Sequence, residues 1–562
     1  MATNNMNKVK TGTNAVIFVV LILAGLGALN VIANKAYKRF DFTEDRIYTL
    51  SQPSKDLVAK LPDRLTIKAF ISSDLQPPFS QTAQYVRDLL SEYAAASKGK
   101  LHWETVDPGS DSKLEEEAQK FKVPKMRRGR VSSNKVEIGS SYLGIALQYQ
   151  GNIESIPEIN ATEGLEFQIT SLIKIMTVKK KKIAFAVSEG ELSPEGGNPQ
   201  QQQAGHGGLQ TVRQYMADYD VLTVQLNQGA KPIPDDVDAL VIAGPKTQMS
   251  ERAKFVVDQF LMKGKAVAFF MNGMVIETPR GMPGMEAQPR IGRKNDVGAE
   301  DLLEHYGFKL HDDIILEPRQ NGKGPLVVGG QLFLANYPTF VGVTDLAPKS
   351  GITDRIKAVV LPFASSVDLV PGTKTVGEIV PLLKSTPEAW RQSGFFLLDP
   401  ERAQLKPAED HGPFTYAYAV KATKMASFFA GKPYPNEKGE KVVPATGVST
   451  AGDLPLDEST GTPRLIVMGE ANFAADEYAR FARNEPVYGL NVLMFINMMD
   501  FLVADEALAP LRAKTVAARP IKVEKESIVA LVKYGNVIGV PLVFVLFGFV
   551  RRWMRRRVAA KI

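Results

Sequence analysis

Apolar and polar positions along the chain follow two periods, one near 3.6 residues and one of 2, and the alternation between them predicts a mixed α/β protein. Ser51 followed by Pro53 marks a helix start, with Leu57, Val58 and Leu61 on one face. A strand is predicted over 65–71. A helix over 82–97 follows, with Val86, Leu89, Leu90 and Tyr93 at helical spacing. Next come a strand at 101–106 and a short charged helix at 113–121. Strands at 142–149 and 152–159, turned by Gln150-Gly151, precede a helix over 162–176. After the first helix the order is β-α-β-α-β-β-α, that of a thioredoxin-like domain.

Four lysines, Lys179 to Lys182, then separate this part from an apolar strand at 183–187, and the domain boundary is expected there. Beyond it the pattern predicts a helix at 209–219, strands at 221–226 and 239–243, a helix at 250–262 and a strand at 266–271. Such alternation builds a largely parallel sheet, and the unbroken apolar runs at 239–243 and 266–270 suit strands buried on both faces. Residues 312–463 read as irregular, with a Gly/Pro-rich stretch at 431–463 expected to be a surface loop. A strand at 465–468 and a helix at 487–502 close the region.

Two stretches are apolar enough to be read as membrane spans. Residues 11–34 carry no charge, and 534–550 are uncharged and extend backward if Lys533 snorkels. Five arginines lie within 551–557, which assigns the C-terminus to the cytoplasm and, with two spans, the N-terminus as well. A cleaved signal peptide is the alternative for the first span, because Val31-Ile32-Ala33 supplies small residues for a peptidase. The division expected is a cytoplasmic tail at 1–12, spans at 13–33 and 531–550, an exported thioredoxin-like domain at 36–178, a larger exported α/β domain at 183–505, a return segment at 506–530 and a basic cytoplasmic tail at 551–562. This places the protein in a bacterial cytoplasmic (inner) membrane with its bulk in the periplasm. The net charge of +7 fits that frame: the two tails carry eight basic and no acidic residues, and 7 − 8 leaves the rest at −1. Nucleic acid is therefore not an expected partner.

The chemistry expected is sparse. With no cysteine, disulfides, thiolate nucleophiles and Cys-ligated metals are excluded, as is a redox role for the thioredoxin-like part. No G-x-x-x-x-G-K-[ST] occurs, so the chain is not an ATPase by itself. The five histidines form no H-E-x-x-H, no G-x-S-x-G elbow is present, and neither a metal nor another cofactor is expected. One loop stands out, Ser188-Glu189-Gly190-Glu191 with His206 further on, because glycine-rich loops after the first strand of a parallel sheet hold ligands. Glu189, Gly190, Glu191 and His206 are the candidate ligand or partner loop, and a flexible connection into the next helix is the plainer reading. Gly535 and Gly539 form a G-x-x-x-G in the second apolar stretch, a candidate helix-packing face.

Several stretches resemble GldG-like proteins, auxiliary subunits of gliding-motility-associated ABC transporters. They are Arg39-Phe40-Asp41-Phe42-Thr43 with Ile47-Tyr48-Thr49-Leu50-Ser51, the run from Ile233 to Pro245, and the run from Asn491 to Pro520. Where the family often has Gly-His-Gly-Glu, this chain has Ser188-Glu189-Gly190-Glu191. The resemblance implies a glutamine-amidotransferase-like α/β fold for the larger domain, without the nucleophilic cysteine of such enzymes. It further implies a non-catalytic subunit that pairs with a separate ABC ATPase and an ABC-2-type permease, contacts membrane lipid, and handles an envelope polysaccharide or protein. Two other readings stand beside it: a glycan-binding or glycan-active protein using Glu189, Glu191 and His206, and a structural envelope scaffold.

Overall fold

In the computed structural model the described residues are 49–132, 135–196, 208–226, 231–277, 290–328, 331–348, 350–354, 356–394, 396–398, 410–443, 455–504, 542 and 546–549. Helix α1 (Gln52–Ala59) starts with proline in its first turn, where the missing amide costs nothing. The Ser51 amide and the buried Ser54 hydroxyl both donate to Glu166 Oε1 at 2.8 Å, so the incoming chain is tied to a helix more than 100 residues later.

Strand β1 (Leu65–Ile71), helix α2 (Phe79–Ala96), strand β2 (Leu101–Val106) and helix α3 (Ser112–Lys120) follow. Strands β3 (Met126–Ser132) and β4 (Lys135–Ser141) pair as a separate hairpin. Strands β5 (Leu143–Tyr149) and β6 (Asn152–Ile156) then lead to helix α4 (Leu165–Thr177). The first sheet runs β2-β1-β5-β6, with β1 parallel to β2 and antiparallel to β5. Its core sets Ile67, Ile145 and Leu147 against Val86, Leu90 and Tyr93 of α2 and Ile169 and Ile173 of α4.

The second sheet begins with β7 (Lys181–Ala186), so the last two lysines of the basic run lie within a strand. There they pair with Asp238 and Asp236 at 3.0 and 2.5 Å. Helix α5 (Gln210–Gln214), β8 (Tyr219–Val224), β9 (Ala239–Ala243), α6 (Glu251–Met262) and β10 (Ala266–Phe270) follow. Strands β8, β7, β9 and β10 and the strand Arg464–Met468 are parallel neighbours in that order. The strands Thr415–Lys424, Val376–Lys384 and Asp345–Leu346 continue the sheet antiparallel. Every residue of β9 and β10 is buried, as a strand covered on both faces requires. Alternate side chains go to opposite cores. Val241, Ala268 and Phe270 face Val492, Phe495 and Met499 of the helix Val487–Leu502. Leu240, Ile242, Val267 and Phe269 face Val256, Val257 and Leu261 of α6.

Between β10 and Arg464–Met468 the chain is far from irregular. Helix α7 (Glu300–Tyr306) is followed by a long hairpin, Asn321–Val328 with Gln331–Val343, whose second strand also pairs with Val359–Pro362. The stretch expected as a surface loop folds back on α6. Gln259 bonds both polar groups of the Leu456 backbone, and Phe255 stacks on Tyr434 with ring centres 4.9 Å apart. Helix α8 (Asp476–Ala479) and helix α9 (Val487–Leu502) complete the region.

The expected frame of two transmembrane helices flanking exported domains is corrected, and with it the two-pass placement in a cytoplasmic membrane. No helix among the described residues is long and apolar enough to cross a membrane. The most apolar long helix, α9, has 16 residues, fewer than the ~20 a bilayer needs, and its apolar surface is used against the sheet. Helix α2 has 18 residues but carries Arg87, Asp88 and Glu92. The segments 13–33 and 531–550, with Gly535 and Gly539, lie outside the described residues apart from Leu542 and 546–549. The larger sheet also differs from the largely parallel one expected, with three of its seven strand pairings antiparallel.

Candidate functional site

Strands β7, β9, β10 and Arg464–Met468 run parallel, so the residues that follow them share one edge, where open α/β sheets place ligands. After β7 the chain reverses at Gly190, whose φ of +83° suits glycine. The Glu189 amide donates to Glu191 Oε2 at 2.5 Å. The Glu189 carbonyl accepts the Lys246 and Thr247 amides at 2.7 and 3.2 Å, and its carboxylate accepts the Thr247 hydroxyl at 2.5 Å. The loop after β7 is thereby strapped to the loop after β9. Burial pushes the Glu191 carboxyl up, and its Oε1 is buried with no hydrogen-bond partner among the described residues. Lys246, beside Gly190, is pushed down by burial while Glu477 acts in the opposite direction.

The loop after Arg464–Met468 carries the most perturbed carboxyl of the edge. Glu470 is fully buried, and burial lifts its carboxyl to about 8 although the backbone of Asn472 and Phe473 bonds to it. Its Oε1 accepts the Asn472 amide at 2.8 Å, whereas Oε2 has no partner among the described residues. The same loop reaches across to α5. Asp476 accepts the Gln210 and Thr211 amides at 2.9 and 2.7 Å, and its own amide donates to the Gly208 carbonyl at 2.9 Å.

The ends of β10 and Arg464–Met468 are covered by the chain itself. The Ser365 amide donates to the Gly469 carbonyl at 2.7 Å, and the Gly273 amide donates to the Ser365 hydroxyl at 3.1 Å. A Cβ on Gly469 would overlap the Ser365 carbonyl oxygen, so only glycine allows this approach. Asp313 is buried beneath, where it accepts the Ser366 amide and hydroxyl at 2.8 and 2.5 Å. His311 Nε2 lies 2.8 Å from Asp368. Among the described residues no group of three or more acidic or histidine side chains is arranged to hold a metal ion.

The structure brings Glu189, Gly190 and Glu191 together at this edge, while His206 lies outside the described residues. Both carboxylates are engaged with the fold: Glu191 bonds to backbone and Glu189 to the β9 loop. Lys246, Asn272, Glu470 and Asp476 were not singled out in the sequence. Three of these follow within a few residues of an apolar run: Lys246 after 239–243, Asn272 after 266–270 and Glu470 after 464–468. That position is the available signal for them. A separate cleft of about 410 Å³ lies on the outer side of α6, lined by Arg252, Phe255, Gln259, Lys263, Tyr434 and Pro455, and includes none of the edge residues.

The family comparison places the chain among transporter-associated auxiliary proteins. It belongs to the family described as ABC-type uncharacterized transport system (ABC_transp_aux), which matches residues 180–504, more than half of its length. Residues 44–148 match a domain of unknown function, DUF7088. The chain is similar to an uncharacterized protein of Borreliella burgdorferi (strain ATCC 35210 / DSM 4680 / CIP 102532 / B31), with 22% identity over 531 residues, 92% of this chain and 94% of the relative. Among solved structures, the mmIFT52 N-terminal domain matches with a TM-score of 0.30 and 12% identity, covering 57% of this chain and 97% of that one, a likeness too weak to carry any inference. The family match is to the auxiliary proteins as a group and does not single out the gliding-associated branch.

Proposed function

We propose that this protein is a non-catalytic auxiliary subunit of an ABC transport system, working with a separate ATPase and an ABC-2-type permease. The observation that carries the reading is how the sheet's carboxyl edge is used. At β10 and Arg464–Met468 it is filled by residues 311–316 and 364–366, and at β7 and β9 the carboxylates are bound by the fold. An edge spent in this way suits a body that binds and couples partners. The family match over 180–504 and the lack of a phosphate-binding loop in the sequence support a role in which ATP is hydrolysed by another chain.

The narrower likeness to GldG-like proteins makes gliding motility one process such a complex would serve, and it rests on the stretches at 39–51, 233–245 and 491–520. Co-purification in mild detergent tests the proposal. The tagged chain is expected to bring down an ABC ATPase and a multi-span permease in fixed ratio, and recovery of the chain with neither would refute it. A second arm replaces Glu189 and Glu191 together by glutamine. Copurification that survives the change leaves those residues outside the partner contact, and its loss places them within it.

A further inference from the structure

Between α3 and β5 the chain leaves the first sheet. Strands β3 and β4 pair with each other from Met126 opposite Ser141 to Ser132 opposite Lys135, and among the described residues neither pairs with any other strand. The root of this hairpin is fixed to the domain. The Tyr142 amide donates to the Ser72 hydroxyl at 2.8 Å, the Ser72 amide donates to the Tyr142 carbonyl at 3.0 Å, and Lys125 pairs with Glu115 of α3 at 2.6 Å. The two strands thus form a separate ribbon about 23 Å long, at the rise of an extended strand.

Positive charge is concentrated on this ribbon. From Lys120 to Lys135 the sequence holds seven basic and no acidic residues, and three of the seven, Arg127, Arg128 and Arg130, belong to β3. Glu115 and Glu117 of the preceding helix are already engaged, by Lys125 and Lys68 at 2.6 and 2.5 Å. Alternate residues of a strand belong to opposite faces, so Arg128 and Arg130 share one face of β3 and Arg127 takes the other. Arg128 is in register with Gly139, which has no side chain, and Arg130 with Glu137, the first acidic residue after Glu117.

We propose that β3 is a docking edge that takes an extended acidic segment of a partner protein as a third strand, with carboxylates at alternate positions against Arg128 and Arg130. Two observations select this partner. Guanidinium groups hold carboxylates in bidentate pairs, and same-face residues of an added strand lie about 7 Å apart, the spacing of Arg128 and Arg130 themselves. The outer edge of β3 also presents backbone N–H and C=O groups at every second residue, which no described strand uses. An extended peptide satisfies that ladder, whereas a lipid surface has nothing to pair with it. The proposal stands on the hairpin and its charge and does not depend on the transporter reading.

Fluorescence anisotropy with the full-length protein tests this, the probe being a fluorescein-labelled peptide in which glutamate and threonine alternate. The wild-type chain is expected to bind it, and Arg127→Gln, Arg128→Gln and Arg130→Gln together are expected to weaken binding about tenfold. Methylating the backbone amides of the peptide keeps its charge and removes its ladder donors, so binding should be lost with the protein unchanged. Equal binding of the methylated peptide, or binding that survives the triple substitution, overturns the docking edge. Vesicles of phosphatidylglycerol are run in parallel. Binding to vesicles and not to the peptide assigns the arginines to a lipid surface, and binding to neither leaves them as guards of an exposed edge; either result overturns the proposal.

Discussion

Helix α9 is apolar along almost its whole length, yet Asn491, in its second turn, has no exposed surface. Its Nδ2 donates to the carbonyls of Val360 and Phe473 at 2.7 and 2.8 Å, and its Oδ1 accepts the Val360 amide at 3.0 Å. One side chain thus holds the helix to the strand Val359–Pro362 and to the loop that contains Glu470. Asn491→Leu keeps the approximate volume and removes all three bonds. Each buried backbone group left without a partner costs about 1–3 kcal/mol. Burying the leucine returns part of that, roughly 1–2 kcal/mol. With about 2 kcal/mol taken for each of the three groups, the expected net loss is about 4–5 kcal/mol, seen as a lower urea midpoint by circular dichroism and by fluorescence of the buried Trp390. Asn491→Asp retains the acceptor and loses both donors, so it should be at least as damaging at pH 7 and partly restored when the acid is protonated. A loss below about 1 kcal/mol for Asn491→Leu would show that the carbonyls find other partners and that the clamp is not what holds α9 in place.

Three further outcomes follow from the same geometry. Asp476→Ala removes the acceptor for two α5 amides and should cost about 1–2 kcal/mol locally, read as faster exchange at Gln210 and Thr211 with little change elsewhere. Gly469→Ala pushes a methyl group into the Ser365 carbonyl and should cost about 1–3 kcal/mol or more, measured as a lower thermal midpoint, whereas alanine at Gly372, which has open space around it but a φ of +77°, should cost less. Tyr306→Phe removes a 2.8 Å bond to the buried Asp258, whose carboxyl burial pushes up and that bond pulls down. The stability lost should therefore be greater at pH 8, where the carboxylate is ionised, than at pH 4, and equal losses at both would contradict this assignment.

Elements whose character is local were readable from the sequence. The strands Leu65–Ile71, Leu101–Val106 and Ala239–Ala243 and the helix Val487–Leu502 coincide with their expected ranges, and for Ala239–Ala243 and the helix the reason is that a run buried on both faces or a long apolar helix declares itself without its neighbours. Helix α5 stops at Gln214, although the helical pattern continues to 219, because Tyr219 is taken as the first residue of β8 opposite Lys181. The 312–463 region was not readable. Its strands are interrupted by glycine and proline, and several are completed by partners far away, as Asp313–Leu316 is by Trp390–Ser393. Glu470 was hidden for the same reason. The loop that carries it is anchored by Ser365, Tyr416 and Asn272, each about 50 to 200 residues away, and its place just after the apolar run 464–468 is the signal the sequence offers.

The position of the strand Arg464–Met468 has a consequence for the chain while it is being made. It lies directly beside β10, yet 193 residues, 271–463, separate the two. At roughly 5–20 residues per second, β10 leaves the ribosome some 10–40 s before the neighbour that will cover its open side. For that interval Ala266-Val267-Ala268-Phe269-Phe270 presents an uncharged, unpaired edge to anything nearby. A chaperone during synthesis, or a temporary partner from its own excursion, would cover that edge, and the charged residues Lys263 and Lys265 just before the strand disfavour pairing with the wrong chain.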